Sequence, residues 1–143
     1  MTIIHPTDFS EEAETAEREA TGLARRLGGE LVLVHVSVET PLYGEGAFGM
    51  SDVKRIYEAQ ARWAETQLAD RATALTEKGV PTRWRHRVGV VHEVICDAAR
   101  EEAADYIVMG THGRSGIERL LLGSVADRVV RTAPCPVVTV RPQ

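Results

Sequence analysis

The sequence predicts an α/β fold: a mainly parallel five-stranded sheet with helices on both faces. Short apolar runs alternate with longer amphipathic stretches along all 143 residues, the sequence form of repeated βα units. The length suits one domain, expected over 1–143, with a core that needs no disulfide or metal staple. Hydrophobic residues at 43% and charged ones at 27% exclude disorder, collagen and coiled coil.

Each element follows from local pattern. Ile3 to His5 is a brief first strand ended by Pro6-Thr7-Asp8. Ser10 then caps a helix with Glu11 and Glu12 in its positively polarised first turn. Its apolar stripe is Ala13, Ala16, Ala20, Leu23 and Leu27, and Gly28-Gly29 supplies a left-handed stop. Leu31 to Val38 reads as a buried central strand. After a Gly-rich loop from Thr40 to Met50, a second helix spans Ser51 to Lys78, with Val53, Ile56, Tyr57, Ala64, Leu68, Ala72 and Leu75 inward. In Thr82 to Val88, Trp84 and His86 alternate with Arg83, Arg85 and Arg87, a strand near the sheet's edge whose arginine row is solvated surface. A helix from Val91 to Glu102, a strand from Tyr106 to Met109, a helix from Gly123 to Thr132 and a strand from Val137 to Val140 complete the chain.

Charge and motifs remove several function classes. With 17 basic against 21 acidic residues and no basic block, the footprint of a nucleic-acid-binding module is missing. No apolar run is long enough to cross a membrane and no leader pattern opens the chain. Cys96 and Cys135 are far apart and outside any C-x-x-C arrangement, so free thiols and a cytoplasmic location are expected. Gly44-Glu45-Gly46-Ala47-Phe48-Gly49 matches G-x-G-x-x-G by letter. It lies too far beyond the preceding strand to make the tight first turn of a dinucleotide site. Neither lysine completes a Walker A loop, and Ile117 spoils a G-x-S-x-G elbow around Ser115.

What remains is Val108-Met109-Gly110-Thr111-His112-Gly113-Arg114-Ser115-Gly116, then Gly123-Ser124 ahead of the last helix. Glycines at the end of a strand let backbone amides approach a ligand, and a helix N-terminus favours an anion, so the pattern fits a phosphate cradle. Arg114 and Arg119 add positive charge beside it. An ordinary glycine turn with Ser124 as helix N-cap fits the same letters. In a flavodoxin-like strand order 3-2-1-4-5, a crevice opens where connections from strands 1 and 4 leave in opposite directions, flanked by Asp8 and Gly110. Asp8 there accepts hydrogen bonds from ribose hydroxyls, holds a metal against phosphates, or caps the following helix. Of the five histidines, His5 and His35 read as structural, His86 and His92 lack metal spacing, and His112 alone falls near the phosphate loop.

Pro6-Thr7-Asp8-Phe9-Ser10, Leu33-Val34-His35-Val36 and Gly110-x2-Gly113-x9-Gly123-Ser124 together resemble the universal stress protein family. The resemblance covers essentially the whole chain, and the glycine motif is that of its ATP-binding branch. It implies an adenine-nucleotide alpha-hydrolase-like fold with ATP bound, with or without Mg2+. By resemblance, Asp8 faces the ribose and adenine side, Pro6 and Thr7 belong to the same nucleotide-binding set, and Val36 offers backbone contacts to adenine. Gly110, Gly113 and Gly123 would line the phosphates, with Ser124 and Val125 at the helix start. Met109, His112 and Arg114 occupy neighbouring positions. Two function classes follow: a nucleotide-loaded sensor in stress response read by a protein partner, or a slow ATPase or phosphotransferase using Asp8 with His112 or Arg114. A third, a structural dimer with an empty pocket, needs no ligand. The terminal strand Val137-Val138-Thr139-Val140 offers a β-branched edge with no Lys or bulge to guard it, which predicts a homodimer through it, as the resemblance also implies; the same pattern permits a covered edge with Arg141 and Pro142 as guards.

Overall fold

The structure, a computed structural model, describes residues 1–38, 49–112 and 122–142, with the backbone alone at Met50. Nine elements follow in order: β1 (Thr2–Pro6), α1 (Glu11–Leu27), β2 (Glu30–Ser37), α2 (Met50–Glu77), β3 (Thr82–Val88), α3 (Val91–Glu101), β4 (Tyr106–Gly110), α4 (Ser124–Thr132) and β5 (Val137–Val140). The strands form one sheet in the order β3-β2-β1-β4-β5, parallel at every pairing. The expected strand order is therefore observed.

The period-2 alternation of a strand divides the core between the two faces. Ile4, Val32, Val34, Ile107 and Met109 pack against Ile95, Cys96, Ala98 and Ala99 of α3 and Ala126 and Val129 of α4. Ile3, Leu31, Leu33 and Val108 point the other way, onto Ala20 and Ala24 of α1 and Leu68, Ala72 and Leu75 of α2. Burying such side chains contributes about 1.5–3 kcal/mol each. The central strands read as continuous apolar runs because both faces are covered.

Local chemistry sets the boundaries. The Ser10 hydroxyl accepts the Ala13 N–H at 3.2 Å, and Gly28 ends α1 in the left-handed region at φ 62, where a side chain would be strained. The stripe of α1 departs from expectation at its end. Ala24 is buried, whereas Leu27 keeps 42% of its surface in solvent, because the stripe follows Ala13, Ala16, Ala20 and Ala24 onto the sheet. In α2, Ala64, Leu68, Ala72 and Leu75 are buried, while Val53, Ile56 and Tyr57 are only half-buried.

On β3, Trp84 is not the inward anchor its alternation suggests, since 37% of it remains exposed on an edge strand that a helix only partly covers. The arginines are more than solvated surface. Arg83 pairs with Glu30 at 2.7 Å and Glu102 at 2.8 Å, Arg85 with Glu101 and Glu102, and Arg87 with Glu101. Hydrogen bonding from Arg83 holds the carboxyls of Glu30 and Glu102 below their usual range. Both cysteines are free. No helix among the described residues is long and apolar enough to cross a membrane.

Candidate functional site

The site arises where the sheet comes apart. β1 and β2 stay in register from Thr2 to Pro6, but β1 and β4 pair only at Ile3↔Tyr106 and Ile4↔Ile107. Beyond Ile4, proline at position 6 has no N–H to continue a ladder, and the chain leaves β1 and β4 in opposite directions. A cavity of about 570 Å³ opens over this switch point, where ligands of open parallel sheets bind and within the range of small-molecule sites.

One end of the cavity is backbone. β4 ends at Gly110, and the Gly123 N–H donates to the Thr111 carbonyl at 2.8 Å, tying the start of α4 to the end of β4. A Cβ on Gly123 would lie 2.9 Å from that carbonyl oxygen, so only glycine allows this approach. A Cβ on Gly110 would meet the His112 carbonyl at 3.4 Å and the Glu12 carbonyl of α1 at 3.5 Å, ordinary contact distances, so the steric demand for glycine falls on Gly123 and not on Gly110. The Asp127 N–H bonds the Gly123 carbonyl at 2.9 Å as the first turn of α4. The N–H groups of Ser124, Val125 and Ala126 come before any intrahelical acceptor, and all three residues line the cavity. The expected alternative of a Ser124 N-cap does not hold. The cap is Gly123, with no side-chain cap bond, which leaves those amides for a ligand at the positive end of the helix.

The facing wall is built by the turn after β1. The Asp8 carboxylate accepts the Ser10 N–H at 3.0 Å, an Asx turn. Asp8 therefore braces the chain ahead of the capped helix and does not itself cap it. The Thr7 N–H donates to the Val34 carbonyl at 2.8 Å, and the Thr7 hydroxyl accepts the Phe9 N–H at 3.0 Å. These bonds hold Phe9 at φ 64, a left-handed conformation that costs about 1–2 kcal/mol for such a residue and that structures tend to keep at functional sites.

The imidazoles sort by what they face. A carbonyl only accepts, so His35 Nδ1, 2.8 Å from the Thr7 oxygen, and His5 Nδ1, 2.9 Å from the Val108 oxygen, each carry the proton there. His5 is fully buried with Nε2 unpartnered. Burial pushes its pKa below the ordinary 6.5, against the smaller upward influences of the Val108 carbonyl and Glu17. His112 sits at the backbone end with Nδ1 3.0 Å from the Thr111 hydroxyl.

Of the residues singled out in the sequence, Pro6, Thr7, Asp8, Val36, Met109, Gly110, His112, Gly123, Ser124 and Val125 all line this one cavity. Gly113 and Arg114 lie outside the described residues, as do Ser115, Gly116, Arg119 and most of the loop after β2. Sequence reading missed Thr111, Val91, Ile95, Gln60 and Trp63, which also line it. Thr111 stands inside the glycine motif and was within reach, but nothing local marks Gln60 or Trp63.

A parallel sheet with a cavity at its switch point, glycine-bounded on one side and facing a carboxylate on the other, defines a doubly wound α/β protein with a small-molecule crevice. The Usp model, universal stress protein family, matches residues 1–141, and the chain belongs to that family. A universal stress protein of Thermus aquaticus is 39% identical over 142 residues, covering 98% of both chains. One from Methanocaldococcus jannaschii is 34% identical over 139 residues, covering 97% of this chain and 81% of that one. Among solved structures, universal stress protein UspA from Lactobacillus plantarum superposes with a TM-score of 0.85 at 25% identity, covering 99% and 97% of the two chains. The Archaeoglobus fulgidus protein in complex with dAMP gives 0.67 at 26%, covering 99% and 98%.

Proposed function

We propose that this chain binds ATP in the crevice between β1 and β4 and works as a nucleotide-loaded regulatory module of the stress response. The observation that carries the reading is the start of α4. Three amides without intrahelical partners converge on the cavity at a glycine that admits no side chain, the arrangement that binds phosphate through backbone and helix dipole. Asp8 on the opposite wall would take ribose hydroxyls, or Mg2+ held against the phosphates. The match to a relative in complex with dAMP supports an adenine nucleotide as the class of ligand.

Retention fits the site better than turnover. Among the described residues no group of three or more His, Cys, Asp or Glu is poised to hold a metal. The loaded state would be read by a protein partner in the cytoplasm, with the chain assembled as a homodimer through β5. Heat-releasing the ligand from purified protein and separating it by chromatography tests the reading directly. Intact ATP at near-stoichiometric amount is the expected result. An apo protein that also fails to take up ATP with Mg2+ in calorimetry would refute it, and multiple turnovers per minute abolished by Asp8→Ala would replace the module with an enzyme.

A further inference from the structure

The phosphate end of the crevice is made of backbone, yet the cavity continues onto α2, where Gln60, Trp63 and Ala64 reach it from one helical face at i, i+3 and i+4 spacing. Trp63 is anchored from behind. It meets Phe9 edge to face at 5.2 Å and 82°. Phe9 in turn lies 4.7 Å from the His35 ring and carries the Arg71 guanidinium 5.8 Å from its centroid. A strained φ at Phe9, three hydrogen bonds in the turn around it and a tied His35 thus fix one side of the indole, while 51% of Trp63 stays uncovered. Gln60 borders both this cavity and a smaller recess with Ser37, Tyr57 and His86. Its carboxamide offers a donor and an acceptor side by side, the complement of the N6 and N7 edge of adenine. A rigid aromatic surface next to a carboxamide, lining the same cavity as the α4 amides that have no intrahelical partner, matches a ligand with a flat heterocycle at one end and charge at the other.

We infer that Trp63 and Gln60 form the base-reading wall of the crevice, Trp63 stacking on the adenine and Gln60 bonding its edge, so that α2 sets the preference for adenine over guanine. Phe9 is a positioning residue, linking the indole to the turn that carries Asp8. The inference rests on the nucleotide-binding reading above.

Titrations with ATP, GTP and inorganic tripolyphosphate, which lacks a base, test the two separately. Trp63→Ala should weaken ATP about tenfold, within the range for loss of one base stack, and leave tripolyphosphate unchanged, while Trp63→Phe restores most of the loss. Gln60→Leu should bring the ATP and GTP affinities together. The chain has 2 tryptophans, so in Trp84→Phe the remaining fluorescence is that of Trp63, and ATP but not tripolyphosphate should quench it. Wild-type protein that binds neither ATP nor tripolyphosphate would overturn the nucleotide reading itself. ATP binding that leaves Trp63 fluorescence unchanged, or is undiminished in a folded Trp63→Ala protein, would overturn the base wall alone.

Discussion

The two ends of the crevice are built from different materials. At α4 the contacts on offer are backbone amides at a glycine cap, with Gly123 held 2.8 Å from the Thr111 carbonyl. At α2 and the turn after β1 they are side chains: Gln60, the Asp8 carboxylate and Trp63, which Phe9 backs from behind. Backbone recognition is insensitive to most side-chain changes and vulnerable to any that displaces the backbone. Side-chain recognition is adjustable residue by residue. A protein so divided can keep the charged part of its ligand constant while tuning the part that gives the ligand its identity.

The largest effect that would break this contrast is expected at Gly123. In Gly123→Val the added carbons collide with the Thr111 carbonyl 2.9 Å away and must push the start of α4 off the loop. Losing two charge-assisted amide contacts at about 1.5 kcal/mol or more each implies a fall in ATP affinity of about a hundredfold. Calorimetry on protein shown to be folded by circular dichroism checks it, and retention of wild-type affinity would mean that the phosphates sit elsewhere. Asp8→Asn comes next. The amide oxygen can still accept the Ser10 N–H, so the melting temperature should hold, while loss of the charge facing ribose or metal weakens ATP about tenfold, or about 1.4 kcal/mol. A matching loss of stability would reduce Asp8 to a turn brace. Ser124→Ala should be milder, about fivefold for one hydroxyl bond of about 1 kcal/mol, because the helix amides persist. A loss equal to that of Gly123→Val would give the hydroxyl the role assigned here to the backbone.

The smallest effect on binding concerns His5, which lies beneath the side-chain end and touches no ligand. Its pKa is lowered by burial from 6.5, so the unfolded chain takes up a proton before the folded one does. Stability present above about pH 6.5 is therefore lost as pH falls toward the folded-state pKa. Glu30 and Glu102, held below 4.5 by Arg83, remove stability only in a lower window. Thermal melts across this range should show the higher-pH loss in wild type and not in His5→Gln, whose amide can still donate to the Val108 carbonyl. A loss that persists in the variant would assign it to another group.

Legibility in the sequence follows the same division. The backbone end was readable because glycine restricts what a position can be. The letters at 110 and 123 mark a strand end and a helix start wherever they fall in space. The side-chain end was half readable. Asp8 stands beside a recognisable strand stop, but Trp63 is one residue on a long helix, and its meaning comes from Phe9, a contact that only the α1–α2 face of the sheet creates. Burial was misread where an element runs out of cover, at Leu27 on the end of α1 and at Trp84 on the edge strand. Periodicity reports which side a residue faces and not how far its neighbour extends.

The central claim is that phosphate meets the first turn of α4. Amide resonances of the 15N-labelled protein, followed while ATP is added, test it at the atoms concerned. The account predicts saturable shifts that are largest at Ser124, Val125 and Ala126 and that tripolyphosphate reproduces there, with Trp63 responding to ATP alone. Saturable binding that leaves those three amides in place would contradict it.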